Sequence, residues 1–85
     1  MSLKVQVRYF ASLREALGAG ETVDLPAGAT LGQLRDTLLA RGGRHAETLG
    51  RGRAVRCALN QAMGEETMPI PEGAEVAFFP PVTGG

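Results

Sequence analysis

The sequence predicts an α+β domain in which one main helix, with one or two short extra helices, packs across a mixed sheet of four to five strands. Three observations predict it. Runs of two-residue alternation open the chain at Leu3–Tyr9 and recur at Glu21–Leu25, Val55–Leu59 and Val76–Phe79, the signature of half-buried strands. A single strong helical pattern follows Thr30, with apolar residues confined to one stripe. Glycine and proline then cut every element short. A one-striped helix and one-faced strands bury their apolar sides by packing on each other.

Taken in order, Leu3, Val5, Val7 and Tyr9 alternate with Lys4, Gln6 and Arg8 in the first strand. Ser12 and Glu15 have capping-box spacing at the head of a short helix carrying Phe10, Leu13 and Leu17, and Gly18 stops it. Val23 and Leu25 face inward from the second strand, which Pro26 ends. So few residues separate these two strands that antiparallel pairing is expected. Thr30 and Gln33 form a second capping box. Leu31, Leu34 and Leu38 make the stripe of the main helix, with Leu39 beside it, Arg35, Asp36 and Arg41 outside, and Gly42-Gly43 as its stop. Arg44 to Arg53 reads as looser chain with one helical turn around Ala46 to Leu49. Val55, Cys57 and Leu59 face inward from a third strand. Pro69, Pro71 and Gly73 mark turns around a short edge segment near Met68 to Ile70, and Val76 to Phe79 is the last strand. The domain is expected over residues 1–79, with an extended tail over 80–85.

Composition bounds the function. Eighty-five residues, 44% hydrophobic and 21% charged, make one small packed domain. A net charge of zero supplies no field to recruit nucleic acid or an anionic membrane. No apolar run approaches the ~20 residues that span a bilayer. The first residues lack the pattern of a secretory signal, and one cysteine forms no internal disulfide, so a cytoplasmic setting is expected. No Ser-His or Cys-His pair, metal cluster or pair of pocket acids announces a self-sufficient enzyme.

Several residues carry chemistry in principle. Cys57 alternates with Val55 and Leu59, which places its thiol on the buried face, where it is inert. His45 lacks ligands at metal-like spacing and reads as a surface residue. Arg41, Arg44, Arg51, Arg53 and Arg56 cluster against Glu47. They read as a solvated basic stretch, the alternative being a dock for an acidic partner or an anionic substrate. No aromatic residue interleaves with them, which disfavours a single-strand nucleic-acid platform. Phe78 and Phe79 are strand neighbours and point to opposite faces. Val76 and Phe78 share the inward parity, leaving Phe79 outside beside Ala77 and near Ala58; the competing placement tucks Phe79 under the edge segment.

The tail is the most distinctive feature. Pro80 and Pro81 halt the last strand, since proline cannot donate to a ladder. Val82, Thr83, Gly84 and Gly85 follow, a thread whose glycines bring no Cβ into a narrow cleft. The carboxylate of Gly85 is unreactive until activated, for instance as an acyl-adenylate, after which a thiol or persulfide can displace AMP. That chemistry fits a carrier or a conjugating tag without choosing between them.

Three segments carry a resemblance: Arg8-Tyr9-Phe10-Ala11-Ser12-Leu13-Arg14-Glu15, Leu59-Asn60-Gln61, and Gly73-Ala74-Glu75-Val76-Ala77-Phe78-Phe79-Pro80-Pro81-Val82-Thr83-Gly84-Gly85. Through nearly its whole length the chain resembles the small subunits of molybdopterin synthase, ubiquitin-like sulfur carriers with the β-grasp fold. Ala74 departs from the acidic residue common there, at a turn with no chemistry attached. The resemblance implies that Gly85 is the reacting residue and that Pro80, Pro81, Val82, Thr83 and Gly84 enter the large synthase subunit. It implies an apolar partner surface including Phe10, Met63 and Phe79, and an assembly of two small and two large subunits. It further implies that no cofactor is bound, ATP being used by an adenylating partner related to ubiquitin-activating enzymes, with a persulfide as sulfur source. Carriers for thiamine thiazole or tRNA thiolation, and ubiquitin-like protein modifiers, share the same activation chemistry. A plain interaction domain with an inert tail is the other class.

Overall fold

The computed structural model describes residues 2–50, 52 and 55–80. Elements follow in the order β1 (Ser2–Tyr9), α1 (Ser12–Leu17), β2 (Gly20–Pro26), α2 (Leu31–Leu39), α3 (Gly43–Leu49), β3 (Arg56–Leu59), β4 (Ala62–Met63) and β5 (Glu75–Phe79). The five strands form one sheet in the order β2-β1-β5-β3-β4. β1 and β2 pair antiparallel, with Val5 opposite Val23. β1 and β5 run parallel, with Tyr9 beside Phe78. β5 pairs antiparallel with β3, and β3 with β4. The mixed sheet places β5, the last strand, at its centre.

Strict alternation makes one face of this sheet apolar. Leu3, Val5, Val7 and Tyr9 are buried while Ser2, Lys4, Gln6 and Arg8 are exposed. Val23, Leu25, Val76 and Phe78 extend the same face. Leu31, Leu34 and Leu38 close over it from α2, each 1% exposed or less. Leu13 and Leu49 add to that core from α1 and α3. Tyr9 and Phe78 stack inside it with ring centroids 6.2 Å apart. The α2 capping box forms as its spacing predicts: Gln33 N–H donates to Thr30 Oγ1 at 3.2 Å and Thr30 N–H donates to Gln33 Oε1 at 2.8 Å. Among the described residues, no helix is long and apolar enough to cross a membrane.

Four sequence expectations are corrected. Ser12 caps nothing: it is the first helical residue, and Ala11, at φ 52°, stands at the N-cap without a side-chain bond. The Arg44–Arg53 stretch is more ordered than one turn, because α3 spans Gly43–Leu49 and buries Leu49 completely. It opens at Gly42, its N-cap, and Gly43, its first residue, whose φ values of 71° and 53° turn the chain sharply out of α2. Arg35 lies inside, 7% exposed. The Met68–Ile70 segment joins the start of α2 instead of a sheet edge, as Leu31 N–H donates to Met68 O and Ile70 N–H to Ala29 O. The edge strand is β4, set by a tight turn in which Asn60 and Gln61 both take positive φ, 48° and 71°. That is the backbone of a two-residue hairpin loop, and asparagine tolerates it best.

Candidate functional site

The outer face of the sheet changes character across its width. On β1 and β2 it is polar, with Lys4 paired to Asp24 at 3.4 Å and Thr22 bonded to Gln6 at 3.3 Å. Across β5, β3 and β4 it becomes apolar. Arg8, Ala77, Ala58 and Met63 occupy one rung of four strands, since Arg8 pairs with Ala77, Ala77 with Ala58, and Ala58 with Met63. Phe79 stands on the next rung, opposite Arg56. Phe10, just past the end of β1, stacks on Phe79 with centroids 5.0 Å apart and ring planes 11° from parallel. Its backbone N–H donates to Phe78 O at 3.2 Å, which ties it to the end of β5.

Phe10, Ala58, Gln61, Met63, Ala77 and Phe79 thus surround a shallow depression of about 360 Å³. Phe10 is 38% exposed and Met63 59%, the two large apolar side chains left open among the described residues. Apolar area of that kind beside small alanines is suited to a partner surface. Arg8 and Glu75 pair at 3.1 Å on its β1 side. Asn60 locks the hairpin to β5: its N–H donates to Glu75 O at 2.8 Å and its Oδ1 accepts from Glu75 N–H at 3.0 Å. The parity reading of Phe79 holds, and it lies beside Ala77 and Ala58, away from the edge segment.

Pro80 leaves β5 half-buried at the edge of this patch. Pro81, Val82, Thr83, Gly84 and Gly85 lie outside the described residues, as do Arg51 and Arg53 of the basic cluster. Arg41 belongs to a structural pair with Glu21, whereas Arg44 and Arg56 are exposed. Cys57 packs half-buried against the core, its Sγ 3.9 Å from Gly64 O. Burial pushes the thiol pKa up despite the opposing Arg35 charge, so Cys57 resists ionisation.

Two polar clusters escaped the sequence. Arg35 donates from Nε to Leu49 O at 2.6 Å and from a terminal nitrogen to Gly50 O at 2.9 Å, and it pairs with Glu66 at 3.4 Å. It therefore holds the C-terminal carbonyls of α3 against α2. The second cluster centres on Glu21, which accepts from Tyr9 Oη at 2.9 Å and from Arg41. His45, expected at the surface, is mostly covered there, edge-on to Tyr9 with Nε2 3.6 Å from Glu21. Burial alone would raise the Glu21 carboxyl, but the bonds from Arg41 and Tyr9 outweigh it and hold the group below its ordinary value. Burial first, and the Glu21 bond second, push the Tyr9 phenol up. The Arg35 cluster fastens α3 and the Glu66 loop to α2, and the Glu21 cluster fastens Arg41 and His45 to the sheet.

A mixed β2-β1-β5-β3-β4 sheet crossed by one main helix is the β-grasp architecture, so the protein is of the ubiquitin-like class. A ubiquitin from Caldiarchaeum subterraneum matches all of the chain at a TM-score of 0.63 and 14% identity, a likeness of fold. The chain belongs to the ThiS family, whose model matches residues 7–85. The molybdopterin synthase sulfur carrier subunit of Escherichia coli (strain K12) is 38% identical over 81 residues, covering 95% of this chain and 99% of that one. The HVO 2177 protein of Haloferax volcanii has a solution structure that matches at a TM-score of 0.84 and 26% identity, covering 99% of this chain and 88% of its own. A chain in the complex of subunits 1 and 2 of molybdopterin-converting factor from Helicobacter pylori 26695 matches at a TM-score of 0.64 and 27% identity, covering 98% of this chain and 100% of that one.

Proposed function

We propose that this protein is the sulfur-carrier subunit of a molybdopterin synthase and that Gly85 is its working residue. The observation that carries the reading is the stacked Phe10–Phe79 pair, with Met63, laid open at the root of the tail. Such a surface lets a partner hold the globule while the thread beyond Pro80 enters its cleft. The relatives named as molybdopterin synthase sulfur carrier subunits, matched along nearly their full length, support the pathway.

The chemistry is activation followed by exchange. A Gly85 carboxylate oxygen attacks the α-phosphorus of ATP on an adenylating partner of the ubiquitin-activating type, and pyrophosphate leaves. The terminal sulfur of a protein persulfide then attacks the acyl carbon and displaces AMP. A thiol cleaves the resulting S–S bond, leaving a thiocarboxylate on Gly85 and a disulfide on the donor. In the large subunit this sulfur passes to cyclic pyranopterin monophosphate, and two such transfers build the dithiolene of molybdopterin. The catalytic side chains for transfer belong to the large subunit, and two small with two large subunits form the assembly. Val82 to Gly85 suit the cleft because the last two residues add no side-chain bulk.

The test combines the large subunit, cyclic pyranopterin monophosphate and thiocarboxylated protein, and follows dithiolene formation. The full chain is expected to deliver sulfur, and the chain lacking Gly85 to fold normally and deliver none. Full transfer by the truncated chain refutes the proposal. Sulfur that reaches only a thiazole precursor or tRNA, or a chain found joined to lysines, assigns the protein elsewhere.

A further inference from the structure

The nine basic residues of this chain are eight arginines and a single lysine, Lys4, although lysine is among the commonest residues of soluble domains. On the reading of Gly85 as an activated acyl group, that imbalance has a chemical meaning. An acyl-adenylate or thioester is attacked by an unprotonated amine: the nitrogen bonds to the acyl carbon, the C–O or C–S bond breaks, AMP or thiolate departs, and the amine proton goes to solvent. The product is a stable amide, a dead carrier. Lysine supplies such an amine, while the guanidinium of arginine stays protonated and is not acylated under the same conditions.

Position strengthens the point. Arg56 is in register with Phe79 at the root of the tail. Arg8 is in register with Ala77, two residues earlier. Exposed Arg14 sits on α1, which follows β1 at this same end of the sheet. The five residues beyond Pro80 reach about 17 Å at full stretch, so all three side chains lie within range of the activated carbonyl. Lys4 does not. Tyr9 is level with Phe78 on the parallel strands; Lys4 is five residues back from that rung and Pro80 two residues forward, an offset of about 23 Å at strand rise. Its ammonium is also drawn sideways to Asp24 on β2, the strand on the far side of β1 from β5.

We infer that the end of the sheet bearing the tail is kept free of amines, with arginine at 8, 14 and 56 and the lone lysine at the remote end, so that activated Gly85 does not acylate its own chain. None of the three arginines supplies a nucleophile, Arg8 being paired with Glu75.

A Gly85 thioester made chemically on the full chain tests this without any adenylating partner, so the result is independent of whether Gly85 is activated in the pathway proposed above. Wild type and the triple variant Arg8→Lys/Arg14→Lys/Arg56→Lys are held at pH 8.5, and amide products are mapped by tandem mass spectrometry. The wild type is expected to lose its thioester by hydrolysis, with amide confined to slow, concentration-dependent joining of two chains at Lys4 or the N-terminal amine. The triple variant is expected to form amide at the introduced lysines at least tenfold faster. The single variants, each an exposed and charge-conserving change, locate the reach of the tail and guard against misfolding of the triple form. Equal amide yields in wild type and all variants, or concentration-independent acylation of Lys4 in the wild type, overturn the inference.

Discussion

Phe10 and Phe79 lie face to face on the outside of the sheet, 5.0 Å between centroids, although one follows the first strand and the other ends the last. The parallel pairing of β1 with β5 brings them together. Stacking two rings where both remain partly open to water stabilises the fold modestly, by about 1 kcal/mol. On the proposed function, a partner docked there would desolvate both rings fully.

Replacing Phe79 by alanine is therefore expected to weaken binding of the large subunit by ~2 kcal/mol or more, roughly thirtyfold in Kd. Stability is expected to fall by less. Calorimetric titration beside thermal denaturation separates the two, and a large fall in Tm with unchanged affinity contradicts the assignment. Phe10→Ala is expected to follow the same direction.

Arg35→Met removes the donor to the buried Leu49 carbonyl and to the half-buried Gly50 carbonyl. A loss of about 2–4 kcal/mol is expected, visible as a lower denaturant midpoint at unchanged slope. Sulfur delivery by the folded fraction should be unaffected, because α3 lies behind the sheet from the apolar patch.

The Tyr9–Glu21 pair shapes the pH dependence from both sides. Glu21 is held below its ordinary 4.5 in the folded chain, so its stabilisation is present above that pH and disappears as pH falls through the lower folded value. Tyr9 is held above its ordinary 10.0, so its contribution is complete below pH 10 and is lost as pH rises further. Glu21→Gln should cost about 1–2 kcal/mol at neutral pH and flatten the acid limb of a stability–pH curve. Tyr9→Phe should flatten the alkaline limb. An acid limb unchanged by Glu21→Gln excludes this role.

Cys57 should react with iodoacetamide at pH 8 severalfold more slowly in the folded protein than in denaturant, since burial raises its pKa. Cys57→Ala is expected to retain sulfur delivery in full. Loss of delivery in that variant, with folding intact, would give the thiol a part in the transfer.

Much of this was legible from residue order alone, and for local reasons. Alternation fixed the inward face of β1, β2 and β5, and parity alone put Phe79 outside beside Ala77. The Thr30–Gln33 capping box is a signal spanning four residues and formed as read. What escaped depends on partners far along the chain. Arg35 occupies a position on the buried side of α2, beside Leu34, yet a charged residue reads as solvated until the Leu49 and Gly50 carbonyls that receive it are known. β4 has two residues, too few for any period to register, and it exists because Asn60 and Gln61 turn the chain back on β3. Ser12 carried a cap signature, but the first turn begins one residue earlier, at Ala11.

Because β5 is the middle strand, held by β1 on one side and β3 on the other, tension applied at Pro80 is shared along two ladders at once. A pull from the far end of β1 would slide the two parallel strands past each other and load their hydrogen bonds together, instead of peeling them apart singly. On the role proposed above, the globule would withstand a tug on its tail, as when a spent carrier is withdrawn from a tight cleft, without unravelling. Stretched between Ser2 and the tail in an optical trap, it should yield in one abrupt event at high force; gradual extension at low force would show the strand unzipping instead.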